Sequence, residues 1–228
     1  MGKASKVSQN EIISYYDALA KDYDRDRFGN SYGKFIDASE RKILHKLLDN
    51  TNEIVLDLAC GSGRFLNFAT IGIDASAEMI AVAKQKFPEK TVRIADAENT
   101  GLPENSIDAV TIFHLFMHLD EAKMKEILSE CHRILKPQGR VIFDIPSRKR
   151  RKLFGYKGEN WHGSFSSTSE ELGEIEGFEI KNTFGILFLP IHRFPITLRP
   201  IFAKLDSWLA NSIFKAFSSY LIFEFRKT

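Results

Sequence analysis

The stretch "VLDLACGSGRF", residues 55–65, decides how this chain is read. A short apolar run carries one acid, Asp57, and ends in Gly61 and Gly63 with a single serine between them. Such a run, closed by glycines, reads as a strand buried on both faces. At its carboxyl end the two glycines let backbone N–H groups approach a ligand closely. The third glycine of a dinucleotide fingerprint would fall at position 66, which is Leu66, and no Gly-Lys-Ser/Thr follows. The corner is therefore neither that fingerprint nor a P-loop, and a nicotinamide oxidoreductase is the weaker reading.

Working outward, strands are expected at 53–59, 71–74, 91–96, 107–114 and 140–145, with helices at 10–24, 38–49, 76–87 and 120–135. Strands alternating with helices predict a parallel sheet covered on both faces. Beyond 147 the pattern changes. The basic run "RKRRK" (148–152) opens a polar stretch, followed by a helix near 169–175, a strand at 177–188 and a closing strand at 220–225.

Ligands of open parallel sheets sit beyond the carboxyl ends of the strands. Asp57, Asp74 and Asp96 fall at three consecutive such ends. Asp74 suits two ribose hydroxyls and Asp96 an adenine amino group. Three acids would repel a pyrophosphate; a sulfonium with an amino-acid tail, ribose and adenine suits them.

In the ordered set "VLDLACGSGRF", "IGIDASAEMI", "IADAENTGLPENSIDAV" and "ECHRILKPQGRVIFDI", the chain resembles the class I S-adenosylmethionine-dependent methyltransferases over about residues 12–147. The resemblance implies an α/β, Rossmann-like, doubly wound sheet of seven mostly parallel strands. Its last strand is antiparallel, and helices lie on both faces. It implies a single domain over 1–228: an N-terminal helical cover (1–50), a cofactor-binding core (51–147) and an acceptor-side segment (148–228). By the same resemblance Asp57, Ala59, Gly61 and Gly63 hold the methionine part, Asp74 the ribose, Asp96 and Ala97 the adenine, with Phe113 beside them. Two departures stand out. Ala59 replaces a customary glycine, and "RFLNFATIGI" leaves room only for a helix stunted to about two turns before the next strand.

The implied activity is methyl transfer to a small-molecule or lipid-like acceptor. An RNA methyltransferase and a non-catalytic cofactor binder are the alternatives. No general base is named by the sequence; His114, His118 and Tyr23 are the candidates, each equally readable as a packing or capping residue. No set of His, Cys and carboxylate ligands clusters along the chain, so no metal is expected. "YYDALAKDYD" (15–24) reads either as a cover over the cofactor or as a packing helix. "RKRRK" reads as a solvated turn, or as a contact for phosphates of RNA or lipid headgroups. His162 either lines an acceptor pocket or caps a turn.

"IFAKLDSWLANSIFKAF" (201–217) places Phe202, Leu205, Leu209, Ile213 and Ala216 on one helical face, with Trp208 beside it. This face packs on the domain, closes over an apolar acceptor together with the leading tyrosines, or lies on a membrane surface. The net charge of +2 gives no field that demands nucleic acid. Cys60 and Cys131 lack redox or metal spacing, and "MGKASKVSQNEII" has no apolar signal core, so a cytoplasmic protein is expected, with peripheral membrane contact as an extension.

Overall fold

The computed structural model describes residues 8–48, 52–156, 165–173 and 175–228. His162 lies outside them. Seven strands, β1 (Val55–Leu58), β2 (Ile71–Asp74), β3 (Thr91–Ile94), β4 (Ile107–Ile112), β5 (Leu135–Pro146), β6 (Phe178–Ile186) and β7 (Tyr220–Lys227), form one sheet in the order β3-β2-β1-β4-β5-β7-β6. The first five are parallel, and β7 runs antiparallel to both β5 and β6. Strand order reverses between β1 and β4, where an open sheet of this kind receives its ligand.

All four residues of β1 are buried, as a continuous apolar run predicts. On β5 and β7, alternate residues serve opposite faces. Phe143 and Phe223 join Ile127, Leu128 and Cys131 of helix α5 (Glu121–Ile134) on one face. Ile142 and Ile222 join Ile36 and Leu44 of helix α3 (Ser31–Leu47) on the other. This period of two locks the register, since a one-residue slip would exchange the faces.

The N-terminal region departs from the sequence expectation. The single helix over 10–24 is two, α1 (Gln9–Leu19) and α2 (Tyr23–Phe28). α3 begins at Ser31, well before the expected start at 38, because the Asn30 side chain accepts the Gly33 N–H at 2.9 Å and caps it there. The stunted helix after Gly63 does not form. Residues 61–68 are successive turns, with N–H groups of Gly63, Leu66 and Phe68 bonded to carbonyls three residues back at 2.8–3.2 Å. The stretch is too short to repay helix nucleation and still return to the start of β2.

Past β5, "RKRRK" is not a turn but the body of helix α6 (Arg148–Leu153), capped by Ser147. Helix α4 (Ala77–Lys86) starts at the expected Ser76 cap. Helices α7 (Ser169–Leu172) and α8 (Arg199–Ala210) complete the set. Among the described residues no helix is long and apolar enough to cross a membrane.

Candidate functional site

At the carboxyl ends of β1, β2 and β4 lies a cavity of about 720 Å³. Ala59, Asp74, Ala97 and Phe113 line it, with Ala75, Met79 and Glu98. A smaller space of about 50 Å³ adjoins it, walled by Asp57, Gly61, Ser62 and Arg64. The two share Tyr23, Ala59, Met79, Phe113 and His114, so they meet around one corner.

Asp57 is buried on β1, and its Oδ1 accepts the Thr111 hydroxyl of β4 at 2.9 Å. Burial pushes its carboxyl up to about 7; the Thr111 bond opposes this only in part. Asp74 ties the glycine corner together. Its Oδ2 accepts the Gly61 N–H at 2.8 Å and its Oδ1 the Ser76 N–H at 2.9 Å. A carboxylate has room for further donors on both oxygens. Gly61 adopts φ +53°, and a methyl group placed there would meet only the Met79 sulfur, at 4.0 Å. Its bare backbone therefore faces open space.

Gly63 is placed differently. At φ +87° it packs against Leu66 and Phe87, 3.0–3.1 Å from where a Cβ would stand, and it lines neither space. Asp96, just past β3, is also not a lining residue, though Ala95, Ala97 and Glu98 are. Its Oδ1 accepts from Gln9 Nε2 of α1 at 2.9 Å.

The leading segment covers the corner. Ile12, Ile13, Tyr16 and Tyr23 form part of the cavity wall. Besides the Gln9–Asp96 bond, three anchors hold the cover down. Asp17 accepts the Ser76 hydroxyl at 2.5 Å and the Glu78 N–H at 3.3 Å, at the N-terminus of α4. Asp24 accepts the Ser62 hydroxyl at 2.5 Å and pairs with Lys86. Tyr16 places its hydroxyl 3.0 Å from His118 Nε2. Partial burial raises the pKa of both the Tyr16 and Tyr23 phenols above the ordinary value.

His118 ends a single 3-10 turn after β4 and lines the cavity with Leu115, Leu119 and Phe165. His114 also lines it, with its backbone left-handed at φ +59° and its N–H donated to Asp144 Oδ1 at 2.6 Å. Its ring stands between two buried acids. Glu40 Oε1 lies 2.9 Å from Nε2 and Asp144 Oδ2 3.8 Å from Nδ1. The Glu40 contact is ionic rather than an aligned hydrogen bond, since neither atom has a partner of good geometry. Burial alone would lower the imidazole's pKa, but Glu40 and Asp144 outweigh it and hold it above its ordinary value.

The expectation of no clustered histidine and carboxylates is thus corrected: positions 40, 114 and 144 meet, with one ligand-type atom from each within 4.8 Å of the others. The carboxylates flank opposite ring nitrogens instead of converging on one point, and Arg64 Nη1 fills the other Glu40 oxygen at 2.7 Å. With a carboxylate beside each ring nitrogen, the set favours the protonated imidazole over the neutral one. Glu40 and Asp144 were not foreseen as site residues. Their signal is an acid inside an apolar pattern: Glu40 between Ile36 and Leu44 on one face of α3, and Asp144 within "VIFDIP".

The acceptor-side expectations change most. No residue of 189–217 lines the cavity, so this segment is not its lid. α8 stops at Ala210, and Leu205 and Ile213 of the expected packing face are exposed. Phe202 instead stacks on Phe194 at 4.1 Å. In α6, Arg148 pairs with Glu171 and Lys149 with Glu170. Arg150 donates to the carbonyls of Phe188 and Phe217, and Arg151 to that of Phe165. Four of the five cations are therefore engaged within the fold rather than aimed at phosphates.

Similarity to known proteins agrees with this geometry. Residues 56–143 match a methyltransferase domain family. An uncharacterised protein of Methanocaldococcus jannaschii is 31% identical over 95% of this chain and 90% of its own. A demethylmenaquinone methyltransferase of Thermotoga maritima is 30% identical over 68% of this chain and 72% of its own. Among solved structures, the magnesium protoporphyrin IX methyltransferase of Synechocystis with bound S-adenosylhomocysteine superposes with a TM-score of 0.68 at 17% identity, covering 97% of this chain and all of that one. A strand order reversing beside a glycine corner, three acids on neighbouring strands and these relatives lead to one assignment: the chain belongs to the class I S-adenosylmethionine-dependent methyltransferases.

Proposed function

We propose that this methyltransferase acts on a small, apolar or lipid-like acceptor bound beneath the N-terminal cover. One observation carries the reading. Beyond the cofactor corner the cavity wall carries an apolar patch, Ile12, Ile13, Leu115, Leu119 and Phe165, with Tyr16 and His118 beside it and a charged rim that includes Glu98, Asp120, Glu121, Lys123 and Glu126. Such walls, with a few placed polar groups, suit small organic ligands. Relatives that act on demethylmenaquinone and on malonyl-[acyl-carrier protein] support a non-nucleic acceptor.

The chain's residues fit S-adenosylmethionine. The open space over Gly61 and the buried acid Asp57 suit the methionine end, Asp74 the ribose, and Ala97 with the loop after Asp96 the adenine. When bound, this cofactor supplies an electrophilic methyl group on a sulfonium. The chain's part is to bind, orient and exclude water. Tyr16, Tyr23 and the α1 anchors close the corner, and holding the two reactants in line supplies much of the acceleration. With both ring nitrogens facing carboxylates, His114 is engaged by the fold rather than left as a free base toward the acceptor. His118, its ring fixed by Tyr16, is one candidate on the acceptor side to take a proton from an acidic acceptor, beside the lining carboxylates.

The test is S-adenosylhomocysteine formation with a panel of acceptors. Turnover is expected with a short-chain demethylmenaquinol or another apolar hydroxylated ring. Turnover confined to transfer RNA would overturn the reading.

A further inference from the structure

Helix α8 presents an apolar stripe to solvent. Ile201, Leu205 and Trp208, spaced i, i+4, i+7, form one stripe, and they are 66%, 43% and 66% exposed. Its only acid, Asp206, is 3% exposed and accepts the Leu189 N–H at 2.6 Å. Phe202, Leu209 and Ala210, half-buried or buried, already supply its contact with the domain, so the exposed stripe is apolar surface beyond what that packing uses. The apolar surface extends to Ile196, 77% exposed, before the helix and Ile213, 88% exposed, after it.

Charge says what this surface meets. Residues 188–219 contain Arg193, Arg199, Lys204 and Lys215, and their sole acid is the buried Asp206. Arg199 and Lys215 donate to backbone carbonyls, and among the described residues none of the four cations pairs with a carboxylate. A second copy of the chain docked face to face would set these like charges against each other. A bilayer with anionic headgroups accepts both components, apolar side chains in the acyl boundary and cations at the headgroups.

We infer that the surface formed by α8 and its flanking turns docks the protein on an anionic lipid bilayer. The segment leaves β6 at Ile186 and enters β7 at Tyr220, which pairs with Pro146 at the carboxyl end of β5. The docking surface therefore lies at the same end of the sheet as the cofactor corner, where an apolar acceptor dissolved in the bilayer would be met.

Flotation with phosphatidylcholine vesicles, with and without phosphatidylglycerol, tests this. The protein is expected to float with the anionic vesicles and to be released by salt. Trp208→Ser with Ile213→Ser should lower the partition more than about tenfold, because two interfacial apolar side chains are lost. Arg193→Gln with Lys204→Gln should weaken binding to the anionic vesicles. Both variants change exposed side chains, so circular dichroism, thermal midpoint and S-adenosylhomocysteine affinity should stay as in the parent. Absence of flotation, equal flotation on phosphatidylcholine alone, or unchanged flotation of both variants would overturn the inference. So would a dimer in sedimentation that Trp208→Ser with Ile213→Ser dissociates.

Discussion

The Tyr16 hydroxyl lies 3.0 Å from His118 Nε2, joining two elements 102 residues apart in the chain across the mouth of the cavity. No residue of α1 is buried, so the helix is held by a few polar contacts rather than by a core of its own. Asp17 supplies the second contact, at the N-terminus of α4.

Loosening this cover should show in cofactor binding more than in stability. Asp17→Ala removes the acceptor for the Ser76 hydroxyl and the Glu78 N–H; such bonds contribute about 1–2 kcal/mol. Titration calorimetry should report S-adenosylhomocysteine affinity lowered about five- to tenfold. Tyr16→Phe keeps the ring and loses only the His118 bond, so it should reduce kcat more than it changes cofactor affinity. Unchanged affinity in Asp17→Ala would mean that α1 does not cover the bound cofactor.

The pair formed by Glu40 and His114 makes a stability prediction with a definite sign. Removing one partner of a buried ion pair costs about 3–5 kcal/mol. Glu40→Gln should therefore lower the free energy of unfolding by that order at neutral pH, measured with denaturant. A histidine whose folded pKa is raised contributes stability below its unfolded value of 6.5 and loses it as pH rises through the folded value. The advantage of the parent over Glu40→Gln should narrow along that limb, because Arg64 alone then remains to pair with Glu40. A gap that widens with pH would mean that His114 is neutral in the fold.

The alternation of strands and helices and the acids near the strand ends were legible because local pattern and fold agree there: β1 is buried on both faces, Asp57 and Asp74 fall in the last two residues of β1 and β2, and Asp96 lies just past β3. What was not legible depends on distant contacts. Glu40, His114 and Asp144 stand on three separate elements, and only the stacking of α3 over β4 and β5 brings them together. The direction of α8 was equally hidden. Its periodicity shows that it has two faces, but which one points outward is set by the Leu189 N–H that binds Asp206. The turns after Gly63 replaced the expected helix through a length constraint, which only the actual return path of the chain reveals.

Asp57 offers a test of where the methionine end of the cofactor binds. Its folded value of about 7, against 3.8 for the free side chain, makes its contribution to stability complete below the unfolded value. That contribution is lost as pH rises through about 7. Asp57→Asn should flatten this slope for the free protein. If the ammonium of the methionine end binds beside Asp57, it draws the carboxyl back to its ionised form. Binding at about pH 6 should then release a substantial fraction of one proton, read from calorimetry in two buffers of different ionisation enthalpy. A heat of binding independent of buffer, or the same release in Asp57→Asn, would remove Asp57 from the methionine end.

Ala59 gives the last test, and it bears on how the corner accommodates an alanine in a left-handed backbone. The residue sits at φ +59°, in the left-handed region. There a Cβ crowds the following carbonyl at a cost of about 1–2 kcal/mol. Ala59→Gly removes that strain, but glycine also loosens the unfolded chain, which takes back about 0.4–1 kcal/mol. The net should lie between no change and a gain of about 1.5 kcal/mol, or a thermal midpoint higher by up to about 6 °C for a chain of this size. Because Ala59 lines the large cavity, the exchange also widens the approach to the corner without removing any hydrogen-bonding group, and S-adenosylmethionine affinity should change by less than about threefold. A lower midpoint would show instead that the Ala59 methyl packs usefully against the closed corner, and that the alanine is kept for the contact it makes despite the backbone it imposes.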